Sequence, residues 1–306
     1  MSTALYALLD SIIDYAGLFP PAQLSMRDAV TEYWRHCRGP EKWMVSRFVC
    51  PANRLDEFAD VLANDPSNDP QVPIPISVIG TKPTRQLDLA LSVEEDGGLI
   101  AGFIEKAQGR CSVEAYEVRK PEEGSLKSTI GKLLVYHELD VFLELPWDDN
   151  LLEDLHAIAE LDWIGAKVRT GGESRDQFPS ACDLARFMHE CLSLDLRFKL
   201  TAGMHHPLRH RDELIGAHQH GFLNVAIAAA LAEEYDFTRE EIESVLLDES
   251  PSSFVFGPDT MYYRDLEIDA PAIEDMRSLF VSYGSCSVDD PILGLAKLGL
   301  VQVNRA

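Results

Sequence analysis

Two lysines lie on consecutive apolar segments of the chain, and each segment runs into a glycine-containing turn. Lys167 belongs to residues 163–169 and Lys199 to residues 197–201. An ammonium group is costly to bury unless it is paired or its pKa falls. Two such groups on neighbouring predicted strands therefore indicate an enzyme site that uses amine chemistry or binds an anion.

The elements that would position these lysines follow a repeated strand–helix pattern. Short apolar or β-branched runs alternate with longer amphipathic segments, and turn residues separate them. The predicted strands are residues 15–20, 44–50, 74–80, 112–118, 141–145, 163–169, 197–201 and 221–224. The predicted helices are residues 26–37, 55–62, 85–95, 126–137, 151–161, 181–192 and 212–218.

Eight such units over roughly 230 residues fit the α/β class and, within it, a (β/α)8 TIM-type barrel. An open doubly wound sheet is the alternative, although no G-x-G-x-x-G sequence follows the first strand. We expect residues 1–232 to form the barrel and residues 233–306 to form a C-terminal helical extension packed on it, with helices at 238–247 and 273–281.

Alternation along the strands predicts which side chains point into the barrel. On the sixth strand Lys167 and Arg169 share one face, and on the seventh Lys199 and Thr201 do. Glu144 points the same way on the fifth. These residues lie near the carboxyl ends of their strands, where barrel enzymes carry their active sites. Further candidates on the second, fourth and eighth strands are Arg47, either Glu114 or Glu117, and Asn224.

Two short motifs resemble a known enzyme family. Residues 167–171, Lys-Val-Arg-Thr-Gly, resemble the strand-six K-T-S-T-G signature of class I aldolases of the deoxyribose-phosphate aldolase type, and residues 198–203, Phe-Lys-Leu-Thr-Ala-Gly, resemble the F-K-P-A-G-G run on strand seven. In that family the first lysine forms a Schiff base with the carbonyl substrate and the second lowers its pKa. The resemblance implies these roles for Lys167 and Lys199.

The resemblance covers two of the eight predicted strands, and the chain departs from the family elsewhere. Arg169 stands where the family has a small hydroxyl residue, and no Gly-Ser turn occurs at residues 220–224. The aspartate-bearing strand of the family is not evident either. A phosphorylated substrate and the identity of the proton-transfer residue therefore stay open. Thr170 and Gly171 could bind an anion through backbone N–H groups or could simply form a turn.

The physics of paired lysines permits an amine nucleophile. Lowering a lysine pKa from about 10.4 to about 7 requires roughly 4.6 kcal/mol of disfavour for the charged form. A second ammonium at about 6 Å, with an effective dielectric near 20, supplies roughly 2.8 kcal/mol, and desolvation can supply the remainder. Glu144 placed between the lysines would have the opposite effect, because it would stabilise both charges.

Histidines are concentrated after the seventh predicted strand. Five of the nine lie between residues 204 and 221: His205, His206, His210, His218 and His220. We expect His205 and His206 at the mouth of the barrel, where either could act as a general acid or base or, with a glutamate, bind a metal. A predicted helix at 212–218 would place His218 and His220 at the opposite end, as helix-terminal residues without a functional role.

The six cysteines are scattered without a C-x-x-C pair, which favours reduced thiols in the cytoplasm. Cys286 precedes an Asp-Asp-Pro sequence typical of a helix start, and we interpret its surroundings as a helix cap rather than a nucleophilic site.

The formal net charge of -24 excludes a nucleic-acid backbone as the main partner, because such binding depends on clustered Lys and Arg. No apolar run approaches the length of a membrane span, so we expect no membrane partner either.

Together these patterns predict a cytoplasmic lyase of the aldolase type that acts on a small anionic carbonyl compound. Lys167 is the expected nucleophile, and Glu144, His205 or His206 the expected proton-transfer group. The alternatives are an isomerase or metal-assisted hydrolase using Glu144, Glu117 and a histidine, or a barrel that binds an anion without turnover. We expect no cofactor and no metal for the leading hypothesis. The oligomeric state stays open, a homo-oligomer included.

Overall fold

The computed structural model describes residues 2–64, 72–83 and 85–302, apart from the side chains of residues 86 and 87. Its strands are β1 Ile13–Tyr15, β2 Val45–Pro51, β3 Ile74–Ile79, β4 Cys111–Arg119, β5 Asp140–Glu144, β6 Ile164–Arg169, β7 Phe198–Thr201, β8 His210–Asp212, β9 Ala217–Gln219, β10 Phe254–Phe256, β11 Thr260–Tyr263, β12 Leu266–Asp269 and β13 Phe280–Ser285. Its helices are α1 Thr3–Leu9, α2 Met26–Arg38, α3 Leu55–Ala63, α4 Gln86–Ala107, α5 Leu126–Leu133, α6 Leu151–Ala159, α7 Ala181–Ser193, α8 Phe222–Tyr235, α9 Arg239–Leu247, α10 Ala270–Arg277 and α11 Asp289–Lys297.

Eight parallel strands close into a (β/α)8 barrel, as the alternating pattern predicts. Their order around the barrel is β1-β13-β7-β6-β5-β4-β3-β2. The predicted strands from the second to the seventh match β2 to β7 to within a few residues. The first was placed too late in the chain, because β1 ends at Tyr15, where the predicted strand begins.

The predicted eighth strand at residues 221–224 is wrong, because these residues begin α8. Every residue from Phe222 to Ala232 is buried, since α8 packs against α7, α9 and α10. A helix that is buried on all sides loses the polar face that reveals helical periodicity, so its first apolar residues look like a short buried strand.

The strand that closes the barrel is β13, which pairs with β7 on one side and β1 on the other. The predicted boundary at residues 232 and 233 is therefore wrong, because the last barrel strand lies within the segment expected to be a helical extension. Between α8 and β13 the chain forms α9, a three-stranded antiparallel sheet of β10, β11 and β12, and α10.

The predicted helix at residues 212–218 is also wrong, because β8 and β9 form an antiparallel hairpin there. The carboxylate of Asp212 accepts hydrogen bonds from the backbone N–H groups of Leu214 and Ile215, and Gly216 adopts a φ of +70°. Such turns favour a hairpin over a continuous helix. His218 and His220 therefore belong to the long loop that leaves the mouth after β7 and do not lie at the opposite end of the barrel.

The core has two layers, one between strands and helices and one inside the barrel. Most strand residues that face the helices are fully buried, among them Leu143, Ala166, Val168 and Leu200. The barrel interior carries charged side chains at both ends, described below. None of the described helices combines the length and the apolar composition of a membrane span.

Candidate active site

Five charged side chains meet inside the barrel near the carboxyl ends of its strands. They are Asp14 on β1, Glu117 on β4, Glu144 on β5, Lys167 on β6 and Lys199 on β7, and we call them the mouth cluster. Lys167 lies directly beside both Glu144 and Lys199 in the strand register. Side chains at the same level of neighbouring parallel strands share a face, which brings all three into the interior.

Glu117 bridges the two lysines. Its Oε2 lies 2.7 Å from Lys167 Nζ and its Oε1 lies 2.5 Å from Lys199 Nζ. Glu144 Oε2 lies 3.0 Å from Lys167 Nζ, and Asp14 Oδ2 pairs with Lys199 Nζ. The cluster is thus a chain of alternating charges, from Asp14 through Lys199, Glu117 and Lys167 to Glu144.

Neighbouring groups hold the carboxylates in position. Ser77 on β3 donates a hydrogen bond to Glu117 Oε1. Ser282 on β13 donates to Asp14 Oδ2 at 2.7 Å, and the backbone N–H of Arg47 donates to Asp14 Oδ1 at 3.2 Å. Hydrogen bonds to the charged form favour the carboxylate over the neutral acid. The site is therefore preorganised by strands on both sides of the barrel.

The electrostatics of the mouth cluster favour ion pairs over free amines. Burial alone would lower the pKa of Lys167, but the carboxylates of Glu117 and Glu144 outweigh burial and hold it well above its usual value. Burial likewise opposes ionisation of Glu117, and the two lysines hold its pKa well below its usual range. Burial also opposes ionisation of Glu144, but the positive charge of Lys167 outweighs it and lowers the pKa of Glu144.

This arrangement corrects one expectation from the sequence, namely that Lys199 lowers the pKa of Lys167. The negative charge of Glu117 stands between the two ammonium groups and cancels their repulsion. With three carboxylates and two lysines, the cluster carries one net negative charge. In the resting protein Lys167 is accordingly an ammonium group.

The mouth cluster forms the floor of a cavity of about 540 Å³. Lys167 is only 5% exposed and Lys199 only 2%, so a ligand reaches them through this cavity. The loop after β1 supplies Phe19, Pro20 and Pro21 to the wall. The other walls come from the loop after β6, the β8–β9 hairpin and the segment after β13; they include Glu173, Gln177, Phe178, Asp212, Ile215, Gln219, Cys286 and Asp290.

Three of the predicted substrate-binding residues, Glu117, Arg169 and Thr201, line this cavity. Arg169 is exposed, and no ion pair is formed by its guanidinium within the described part of the chain. Its backbone carbonyl accepts a hydrogen bond of 2.7 Å from the Trp147 indole. Arg169 is thus a cation at the cavity that is still available to an anionic group.

Arg47 does not reach the cavity, contrary to its predicted role. Its guanidinium contacts Glu114 Oε2 at 3.1 Å and Asp140 Oδ2 at 2.7 Å, and Arg197 Nη1 lies 2.6 Å from the other oxygen of Asp140. Asp140 is the first residue of β5, and Arg197 directly precedes β7. These four residues, which we call the amino-end cluster, lie at the opposite end of the barrel interior.

Asn224 also lies outside the site, because it belongs to α8. Its carboxamide oxygen accepts from the backbone N–H of Arg209 at 2.8 Å, and its amide group donates to the carbonyls of Val245 and Asp248. The fully buried side chain thus joins the start of α8 to the end of α9.

Thr170 and Gly171 form a packed turn and do not line the cavity. The Thr170 hydroxyl donates to the carbonyl of Ala202 at 2.5 Å. A Cβ added at Gly171 would lie 2.8 Å from Gly203 Cα, so the close approach of the loops after β6 and β7 requires glycine. These two residues therefore form a turn, the simpler of the two alternatives, and the predicted contact of Thr170 and Gly171 with substrate is wrong.

His205 and His206 both line the cavity, at the place expected for them. Burial is the main cause that lowers the pKa of each, and His210 contributes the same way. His206 packs against His210 with ring centroids 4.2 Å apart. Both residues are therefore neutral imidazoles near pH 7, able to accept a proton.

A cluster of potential metal ligands lies elsewhere in the molecule. In the part of the chain described, Glu32, His36 and Asp289 form the group whose ligand atoms lie close enough together to hold one metal ion. Arg35 already occupies it, since its Nη2 lies 2.5 Å from Glu32 and 2.6 Å from Asp289. A metal there would have to displace a guanidinium. The described side chains at the cavity do not form such a group around His205 or His206.

Asp14 is the member of the mouth cluster that sequence reasoning missed. The first predicted strand begins one residue after it, so alternation along that strand does not include Asp14. The available signal was a single carboxylate within the short apolar run of residues 12–15, and Asp14 is in fact 1% exposed. A buried carboxylate in a strand requires a cation, which Lys199 supplies.

Comparison with known proteins leaves the function to be argued from this geometry. The chain matches no protein-family model, and no curated protein matches it.

Proposed function

We propose that this barrel is a carbon–carbon lyase of the aldolase type, in which Lys167 forms a Schiff base with a small carbonyl compound. The observation that carries the proposal is the position of Lys167 Nζ, on the floor of the cavity and between two carboxylates at 2.7 and 3.0 Å. An amine nucleophile needs an adjacent group that takes its proton. Glu117 and Glu144 are both within reach.

The raised pKa of Lys167 makes the free amine scarce, yet it is compatible with this chemistry. A lysine with a pKa of about 10.4 is neutral about once in 2,500 molecules at pH 7, and Lys167 is neutral less often still. The product of condensation is an iminium ion, however, which is also a cation. The same two carboxylates stabilise the ammonium before the reaction and the iminium after it.

Roles for the remaining residues follow from burial and contacts. Glu144 is the more accessible of the two carboxylates on Lys167, with 13% of its side chain exposed against 4% for Glu117. We assign proton transfer to Glu144. Its carboxylate takes the proton from the substrate hydroxyl while the carbon–carbon bond breaks, and the electron pair of that bond moves toward the iminium. Glu117, held by both lysines, maintains the charge balance.

The cavity also restricts the substrate. The net negative floor repels an anionic group, so an acidic substrate would direct its charge away from the lysines. Arg169 at the end of β6 is the cation that could receive such a group. A small carbonyl compound with its acidic group distant from the carbonyl fits both requirements.

Borohydride trapping tests the proposal. The protein is incubated with a mixture of small aldehydes and keto acids, reduced with borohydride and analysed by peptide mass spectrometry. We expect a reduced adduct on Lys167 that is lost in Lys167→Met. Lys120, which pairs with Asp154 and does not line the cavity, is the internal control and should stay unmodified. Adducts confined to exposed lysines would overturn the proposal.

A second candidate is an isomerase that moves a proton next to a carbonyl group without a covalent intermediate. The raised pKa of Lys167 favours it, because a permanent ammonium can stabilise an enolate while Glu144 removes the proton. The two candidates differ in the trapping experiment. Solvent-deuterium exchange into a keto compound without any adduct on Lys167 would select the isomerase.

A further inference from the structure

A thiol, an imidazole and a carboxylate lie together on a wall of the same cavity. Cys286 directly follows β13, His205 follows β7, and Asp290 lies in the first turn of α11. All three line the cavity but belong to no contact of the mouth cluster.

The distances place His205 between the thiol and the carboxylate. His205 Nε2 lies 3.9 Å from Cys286 Sγ, within the range of a hydrogen bond to sulfur. On the other side of the ring, Nδ1 lies 3.5 Å from Ser285 Oγ and 3.8 Å from Asp290 Oδ2. A nucleophile, a base and a group that orients the base recur in this order in many enzymes.

Ser285 determines which ring nitrogen of His205 carries the proton. Its hydroxyl donates its one hydrogen to the carbonyl of Ser287 at 2.6 Å, so toward His205 the oxygen can only accept. This assigns the proton of the neutral imidazole to Nδ1. The lone pair of Nε2 is then directed at Cys286.

The segment predicted as a helix cap does precede a helix, α11, but its N-cap residue Val288 makes no side-chain capping hydrogen bond. The backbone N–H of Asp290 in the first turn donates to Ser287 Oγ at 3.1 Å. Cys286 takes no part in that hydrogen bond. Its half-buried thiol faces the cavity instead.

Burial keeps both partners neutral in the resting protein. It raises the pKa of the Cys286 thiol and lowers that of His205, so near pH 7 a thiol faces a neutral imidazole. Such a pair is not a standing thiolate. The sulfur acts as a nucleophile when it attacks an electrophile in the cavity while His205 removes the thiol proton.

We propose that Cys286, with His205 as its base, is a second nucleophilic site of the cavity that binds aldehydes as hemithioacetals. The sulfur–carbon bond forms while the π electron pair of the carbonyl moves to oxygen. The thiol proton passes to His205 Nε2 and from there to the new alkoxide, so no other reactant is needed. Asp290 acts on the thiol only through His205 and is a positioning residue.

Alkylation of the native full-length chain by limiting iodoacetamide tests the pair. Cys182 on α7 is exposed and serves as the internal control. We expect Cys286 to react faster than Cys182 although it is more buried. His205→Asn should slow alkylation of Cys286 about 100-fold, at the lower end of general-base effects, and leave Cys182 unchanged. If His205→Asn does not fold, Asp290→Asn is measured instead and should show a smaller decrease.

Propanal tests the aldehyde class in a Lys167→Met background, where no Schiff base can form at that position. We expect propanal to protect Cys286 from iodoacetamide reversibly, whereas 1-propanol at the same concentration does not. Equal alkylation rates for Cys286 and Cys182 in the unsubstituted protein, or no protection by propanal, would overturn the proposal. Neither result depends on whether borohydride traps an adduct on Lys167.

Discussion

The two ends of the barrel interior carry ionic clusters of similar size but different character. The mouth cluster pairs two lysines with three carboxylates, and four of its five members are at most 5% exposed. The amino-end cluster pairs Arg47 and Arg197 with Asp140 and Glu114, whose side chains are 31% and 42% exposed. Only the mouth cluster opens into the cavity.

Residue type and access, rather than charge alone, therefore distinguish the two clusters. A guanidinium stays charged at every accessible pH and forms forked hydrogen bonds that join strands. A lysine can lose its proton and attack a carbonyl carbon. Of the two clusters, the one whose cations are arginines is closed by ion pairs, and the one whose cations are lysines is open to a ligand.

Removing the central carboxylate should have the largest effect on stability. Glu117→Gln leaves two buried ammonium groups facing one another without the charge that separates them. Breaking a buried ion pair in this way costs about 3–5 kcal/mol. Urea unfolding measures the change. The matched substitution at the other end, Glu114→Gln, should cost no more than about 1 kcal/mol, because that carboxylate is exposed. Equal losses would contradict the distinction between the clusters.

The pH dependence of stability should change in a defined direction. The pKa of Glu117 is held low in the folded state, so its contribution is complete above the unfolded value of about 4.3 and is lost as the pH falls below it. Lys167 has a raised pKa, so its contribution is complete below about 10.4 and is lost as the pH rises above it.

Unfolding midpoints measured across both ranges check these signs. Glu117→Gln should show a smaller loss of stability on acidification than the unsubstituted protein, and Lys167→Met a smaller loss at alkaline pH. The slopes are compared rather than the absolute midpoints, because both substitutions also lower stability at neutral pH. If the loss of stability on acidification is the same in Glu117→Gln as in the unsubstituted protein, the lysines do not lower the pKa of Glu117.

The smallest effect is expected at the amino end. Arg197→Met removes a guanidinium that is 29% exposed and leaves Asp140 paired with Arg47. We expect a loss of about 1 kcal/mol or less in urea unfolding and no change in the borohydride adduct on Lys167. Loss of the adduct would mean that the two clusters are coupled through the barrel, contrary to the roles assigned to them.

Much of the fold was predictable because most helices of this barrel are amphipathic and most strands are short apolar runs between turn residues. The errors fall where that relation fails. The α8 helix is buried on every side, and β13 was hidden in a segment that was read as helical. Local patterns report which face of an element is buried, and they cannot report that a helix is buried all round.

Side-chain alternation along a strand is a local property, so the sequence is sufficient to predict that Lys167, Lys199 and Glu144 point into the barrel. What surrounds these side chains depends on contacts between distant parts of the chain. Glu117 and Asp14 come from strands distant in sequence, and their charges reverse the expected direction of the Lys167 pKa shift. The approach of Cys286 to His205 likewise depends on β13 lying beside β7. A pKa depends on charges within a few ångströms, and barrel closure alone determines which charges those are.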